Sequence, residues 1–251
     1  ALQRALLDVP LRWRAPRRIF VNSMSDLFHE GLAVQDIADV FGVMAAAGQH
    51  TFQVLTKRAS RMRALKRADA LRGSFVAAVN DEWARAYARA RSRPATSRWP
   101  GWPLPNVWLG VSVEDQERAD ERIPLLLETP AAVRFLSVEP LLGPVDLRGW
   151  LAEPLVVDDN DNDDRRAIDW VIVGGESGPG ARPCQLNWIR DIVEQCAAAS
   201  VPCFVKQLGA RPMSDSPAWP DAVLRLGSKK GGDMMEWPKD LRVRQFPEVR
   251  S

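Results

Sequence analysis

Six short apolar runs punctuate the chain: RRIFVNS from Arg17, TFQVLTK from Thr51, VWLGVSV from Val107, VRFLSVE from Val133, WVIVGGE from Trp170 and CFVKQLG from Cys203. They are rich in β-branched and aromatic residues and too short for helices, so each reads as a strand buried on both faces. Between them the apolar period changes to three and four. Val34, Ile37, Val40, Phe41 and Met44 form one helical stripe, Ile189, Ile192, Val193 and Cys196 another, and Ala119, Ile123, Leu126 and Leu127 a weaker third. Strand alternating with helix predicts parallel pairing through right-handed crossovers, in a doubly wound sheet or a barrel.

The polar positions choose between the two. Every run turns polar at its C-terminal end: Asn22, Ser23, Ser25 and Asp26 after the first, Thr56, Lys57 and Arg58 after the second, and Ser112, Glu114 and Asp115 after the third. The last three end in Ser137 and Glu139, in Glu176 and Ser177, and in Lys206 and Gln207. A doubly wound sheet gathers its ligand at one switch point, whereas a barrel gathers all its strand ends at one mouth. The expectation is therefore an α/β fold of the partial parallel (β/α) barrel type over residues 1–210. Residues 211–251 would be a C-terminal extension packing on it. Two segments leave the repeat: a helical insertion over about 60–105, ending in the Trp/Pro-rich stretch to Pro105, and an acidic loop over about 153–166 that contains DDNDNDD from Asp158.

Composition adds bounds. The chain has 251 residues, 26% charged, with a formal net charge of +2, so any affinity for nucleic acid must be local. No run approaches the length of a bilayer span and no secretory leader is evident, which predicts a cytoplasmic protein without membrane contact. Cys184, Cys196 and Cys203 share no metal-ligand spacing and read as buried structural thiols.

Four segments carry candidate chemistry. In WVIVGGESGPGARP, Gly174 and Gly175 either expose free N–H groups to an anion or adenine edge, or only permit a tight turn before Glu176. In FLSVEPLLGPV, Glu139 ends a core strand before Pro140, so either a ligand or an ion pair with Lys57, Arg58 or Lys206 must account for it. In NSMSDLFHE, Asp26 is either a ligand contact or an N-cap; His29 has no catalytic companion, and His50 reads as structural. The segment from Lys57 to Arg72 carries Arg58, Arg61, Arg63, Lys66 and Arg67 against Asp69 alone, and is either a nucleic-acid footprint or a solvated helix face.

FVNSMSDLFHE, HTFQVLTKR, LPNVWLGVSVEDQERADERIPLLLETPA, RFLSVEPLLGPV and WVIVGGESGPGARP closely resemble domain-of-unknown-function family 5131, found in phages, prophages and bacteria, over roughly Leu11 to Gly209. Members of that family are similar to radical S-adenosylmethionine enzymes and usually begin with a Trp-rich segment bearing three cysteines suited to an iron–sulfur cluster. This sequence begins with Ala1 inside what reads as the middle of a fold, so it is expected to be a fragment lacking the first strand and that cysteine segment, with a cluster only in the full-length form. The resemblance implies a TIM-like, radical-S-adenosylmethionine-like barrel. Asn22, Ser23 and Asp26 would lie near the cofactor's amino-acid end, and Ser112 and Glu139 in the middle of the mouth. Gly174, Gly175 and Glu176 partly echo an adenine-contacting strand, with one residue fewer between glycine and glutamate. Lys57, Glu114, Ser137 and Lys206 complete the S-adenosylmethionine-binding set. The substrate would be a nucleic acid or modified base; the alternative is a non-catalytic module that binds nucleic acid or a protein partner through residues 57–72.

Overall fold

The computed structural model describes residues 2–21, 24–72, 74–89, 98–151, 167–214, 216 and 222–248, and their side chains except those of 66–72 and 74. The acidic run at Asp158 to Asp164, and Asn22 and Ser23, lie outside the described residues. The chain divides into two compact units, one of Ala1–Val111 with Glu128–Val133, the other of Ser112–Leu127 with Arg134–Ser251.

Along the chain come α1 (Arg4–Leu7), β1 (Arg18–Val21), α2 (Val34–Ala46), β2 (Thr51–Thr56), α3 (Ala59–Arg72), α4 (Ser74–Arg89) and β3 (Val107–Ser112). There follow α5 (Gln116–Leu127), β4 (Val133–Val138), α6 (Arg148–Leu151), β5 (Trp170–Gly174), β6 (Cys184–Gln185), α7 (Leu186–Ala198), β7 (Cys203–Gln207) and β8 (Pro212–Met213). The six strands expected from the apolar runs form one sheet in the order β1-β2-β3-β4-β5-β7, and β6 pairs with β8 in a second, two-stranded sheet. The fold is thus mixed α/β with a six-stranded parallel sheet. Each strand of the large sheet neighbours the next in the chain, the order of a half-barrel, and nowhere does it reverse as at a doubly wound switch point.

In the first unit, parallel register aligns Ile19 with Phe52 and Val107, and Val21 with Val54 and Leu109, on one sheet face. Phe41 of α2 and Leu104 close against Val107 and Leu109. Phe41 also meets Phe28, Phe75 and Trp102 at ring separations of 5.9 to 6.3 Å. Helices α2 and α4 approach so closely that a Cβ on Gly42 would lie 2.6 Å from Glu82 Cβ. The buried Glu82 carboxylate accepts from Arg85 and Arg89, each at 2.7 Å. His50 is structural, as expected: its ring accepts from the Arg17 amide at 3.2 Å and bonds the Pro10 carbonyl at 3.0 Å, and burial pushes its pKa down despite that bond.

In the second unit, β5 is buried along its whole length, and α7 contributes Ile189, Ile192 and Cys196 to the core. Trp170 stacks among Phe135, Phe204 and Phe246. Residues beyond 240 run antiparallel to the outer side of β7, with Val205 N–H donating to Val243 O at 2.9 Å and Gln245 N–H to Cys203 O at 2.8 Å.

Burial on both faces, expected of all six runs, fails at the two ends of the sheet. Along β1 the residues alternate exposed and half-buried, and Lys206 of β7 is exposed. β1 has a sheet neighbour on one side only, so less of it is covered.

Candidate functional site

In the first unit the polar ends of β1 and β2 converge on Asp26. Its Oδ1 accepts from Phe28 N–H at 2.8 Å and from the Thr56 hydroxyl at 2.8 Å, while Oδ2 accepts from Lys57 N–H and Arg58 Nη1, each at 3.0 Å. Arg58 also reaches Glu30 at 2.9 Å. The Asp26 carboxylate is thereby committed to tying the 24–33 loop to the end of β2. Its contact with Phe28 N–H is the short-range cap expected of an Asp before a turn.

The basic segment is used in the same way. Arg61 donates to the carbonyls of Phe28, His29 and Leu32, gathering the end of that loop, and Arg63 pairs with Glu128 at 3.0 Å. Both are half-buried. The side chains of Lys66 and Arg67 lie outside the described residues. Arg58, Arg61 and Arg63 therefore spend their charge on internal partners, which a solvated helix face does not require.

In the second unit four strands, β3, β4, β5 and β7, end in polar groups. Ser112 and Ser137 close β3 and β4 and are almost fully buried. Among the described residues neither hydroxyl has a hydrogen-bond partner. Glu114, just beyond β3, pairs with Arg122 of α5 at 2.9 Å, both side chains about one-tenth exposed, and Arg122 also donates to the Ser112 carbonyl at 2.9 Å. The Arg122 Nε is buried without a hydrogen bond.

Glu139, with its side chain 14% exposed, accepts from Lys206 Nζ at 2.8 Å and from Gln207 Nε2 at 2.9 Å. Gln207 also donates to Gly175 O at 3.1 Å. Lys206 is thus the partner among the three cations the sequence offered. Glu176 is clamped by Arg182 through the Arg182 N–H, Nε and Nη2, all at 2.8 Å. These guanidinium and backbone bonds hold its carboxyl far below the usual range, at about 2.

The sequence leaves the paired glycines as either an anion or adenine cradle or a tight turn; their packing shows a further use. A Cβ on Gly174 would lie 2.8 Å from Gln207 O, and one on Gly175 2.3 Å from Leu208 O, so their bareness lets β5 and the end of β7 approach. The Gly175 N–H is taken by Gln207 O at 3.1 Å and cannot face a ligand.

The three cysteines are buried. Burial raises the Cys184 thiol to about 12, and a hydrogen bond to Cys203 together with burial raises Cys196. Protonated, enclosed thiols do not suit an iron–sulfur cluster, whose ligands are thiolates, and among the described residues no group of three His, Cys, Asp or Glu side chains is placed to hold a metal. No helix among them is long and apolar enough to cross a membrane.

Sequence reasoning missed Thr56 as a partner of Asp26, and Arg122, Arg182 and Gln207 as partners of the three strand-end glutamates. Only Arg122 left a readable signal: it lies on a helix one residue from Ile123 of the buried stripe, where a cation needs a partner.

No curated protein and no solved structure matches the chain. A family model described as "Protein of unknown function (DUF5131)" matches residues 1–239, and the chain belongs to that family.

Proposed function

We propose that the strand ends of the second unit form a binding site for S-adenosylmethionine, and that the chain is the cofactor-binding part of a radical-S-adenosylmethionine-like protein. One observation carries the reading. Ser112 and Ser137, 4% and 5% exposed as residues, stand at the ends of β3 and β4 with hydroxyls that no described group bonds, in a unit whose other strand-end polar groups are paired. Neither hydroxyl oxygen is fully enclosed, so each keeps an opening through which a polar ligand can reach and pair it. Ser112 and Ser137 would bond the ribose or amino-acid end of the ligand. The Glu139–Lys206 pair, with its carboxylate and ammonium, would face a zwitterion's ammonium and carboxylate. The parallel sheet in chain order, delivering polar groups at successive C-terminal ends, supports the same reading.

S-adenosylmethionine supplies a sulfonium whose neighbouring bonds are open to cleavage or transfer. Because the described residues do not fit a cluster, no reductive step is assigned to them. Their work is to bind and orient.

The test is calorimetric titration of the 251-residue chain with S-adenosylmethionine and S-adenosylhomocysteine. Saturable binding with Kd below about 1 mM is expected. Joint replacement of Ser112 and Ser137 by Ala should weaken it by about tenfold, the worth of one or two hydrogen bonds. Absence of saturable heat, or equal affinity in the double variant, would overturn the proposal.

A further inference from the structure

Between Asp8 and Asp26 the chain has no acidic residue, yet Arg12, Arg14, Arg17 and Arg18 stand within seven positions of one another. All four are exposed. Other arginines of the first unit find internal acceptors: Arg4 pairs with Asp36 and Asp39, Arg58 with Asp26, Arg63 with Glu128 and Arg89 with Asp8. Among the described residues no carboxylate pairs with Arg12, Arg14 or Arg17.

Aromatic groups are interleaved with this charge. The Arg17 guanidinium lies 4.4 Å from the centroid of the Trp13 ring, and the ring is itself held edge-on by His50 at 5.8 Å. That arrangement fixes a flat cationic platform whose outer face is open to solvent. On β1, Arg18 and Phe20 are two residues apart and so share a sheet face, and Phe20 is 42% exposed.

We propose that the segment Arg12–Phe20 is a binding surface for single-stranded nucleic acid. Arginines without a carboxylate partner, closely spaced along the chain, match a phosphate chain, while the Arg17–Trp13 platform and Phe20 offer planar surfaces on which unpaired bases stack. A duplex hides those base faces, and a lipid surface has none to offer. Within the basic segment 57–72, Arg58, Arg61 and Arg63 are engaged internally, unlike these arginines.

The experiment is fluorescence anisotropy of a labelled mixed-sequence single-stranded oligonucleotide titrated with the 251-residue chain at several salt concentrations. Three or four phosphate contacts give a slope of log K against log salt of about −2 to −3, so affinity should fall roughly 20- to 50-fold from 50 to 200 mM. The triple variant R12Q/R14Q/R17Q should flatten that slope and lose most of the binding. The single variant R17K, which keeps the charge but removes the platform, should weaken binding severalfold with the slope unchanged. As these side chains are exposed, all variants should keep the parent's thermal melting. Four results would overturn the proposal: no binding, equal binding by the triple variant, equal affinity for a duplex of the same sequence, or binding to anionic phospholipid vesicles without binding to the oligonucleotide.

Discussion

Replacing Asp26 by Ala tests how much of the first unit's stability passes through one carboxylate. The side chain accepts from Phe28 N–H, the Thr56 hydroxyl, Lys57 N–H and Arg58 Nη1. Two of these donors cannot turn to water, because Phe28 and Thr56 are 0% and 2% exposed. Each buried donor left unpaired costs about 1–3 kcal/mol. Lys57 N–H and Arg58 lie nearer the surface, and Arg58 keeps Glu30, so they add little. The expected loss is about 3 kcal/mol for Asp26→Ala. For Asp26→Asn, which keeps an acceptor for the Thr56 hydroxyl and the Phe28 amide, it is about 1–2 kcal/mol. Urea denaturation followed by circular dichroism measures both, with the slope against denaturant checked for constancy. If Asp26→Ala costs less than about 0.5 kcal/mol, or Asp26→Asn costs as much as Asp26→Ala, the carboxylate is not the tie described.

The glycine at the close approach of β5 to β7 should tolerate no side chain: Gly175→Ala places a Cβ 2.3 Å from Leu208 O and should cost about 3 kcal/mol in the same assay, while Gly143→Ala, with nothing within 4 Å, should be silent. Replacing Arg182 by Gln should raise the Glu176 carboxyl from about 2 toward its ordinary value near about 4.3, read by carbon-13 NMR titration; an unchanged titration would contradict the clamp. The sign follows from the lowered folded-state pKa: the clamp's stabilisation is present above about pH 4.3 and is lost as pH falls through about 2. The three thiols should ignore a disulfide-exchange reagent in the native protein at pH 8 and all react in denaturant, and a stoichiometric native reaction would contradict their burial.

The strands were readable because a parallel strand leaves an uninterrupted apolar run such as WVIVG, which no surface helix tolerates. The stripes at Val34 to Met44 and Ile189 to Cys196 became α2 and α7 because three-and-four spacing puts them on one buried face. The residues at the strand ends were also legible, since an abrupt change from Val or Leu to Ser or Glu marks where a strand leaves the core. What they bind was not. Glu139 meets Lys206 67 positions away, and Asp26 meets Thr56 at a separation of 30; neither distance leaves a periodic trace in sequence. The close packing at the paired glycines was not legible for a related reason: bareness at Gly175 serves an approaching backbone at Leu208, and sequence cannot tell a backbone neighbour from a ligand. The basic segment 57–72 looked like a charged surface because the carbonyls that Arg61 gathers belong to a loop 29 to 33 residues earlier.

Hydrogen–deuterium exchange of the chain with and without saturating S-adenosylhomocysteine tests the central claim most directly. Binding at the strand ends of the second unit should slow exchange in the peptides that hold Ser112 to Asp115, Ser137 to Leu142 and Gly174 to Arg182. Exchange elsewhere should stay unchanged. No protection at any concentration, or protection confined to other segments, would contradict the assignment of that face as the ligand site.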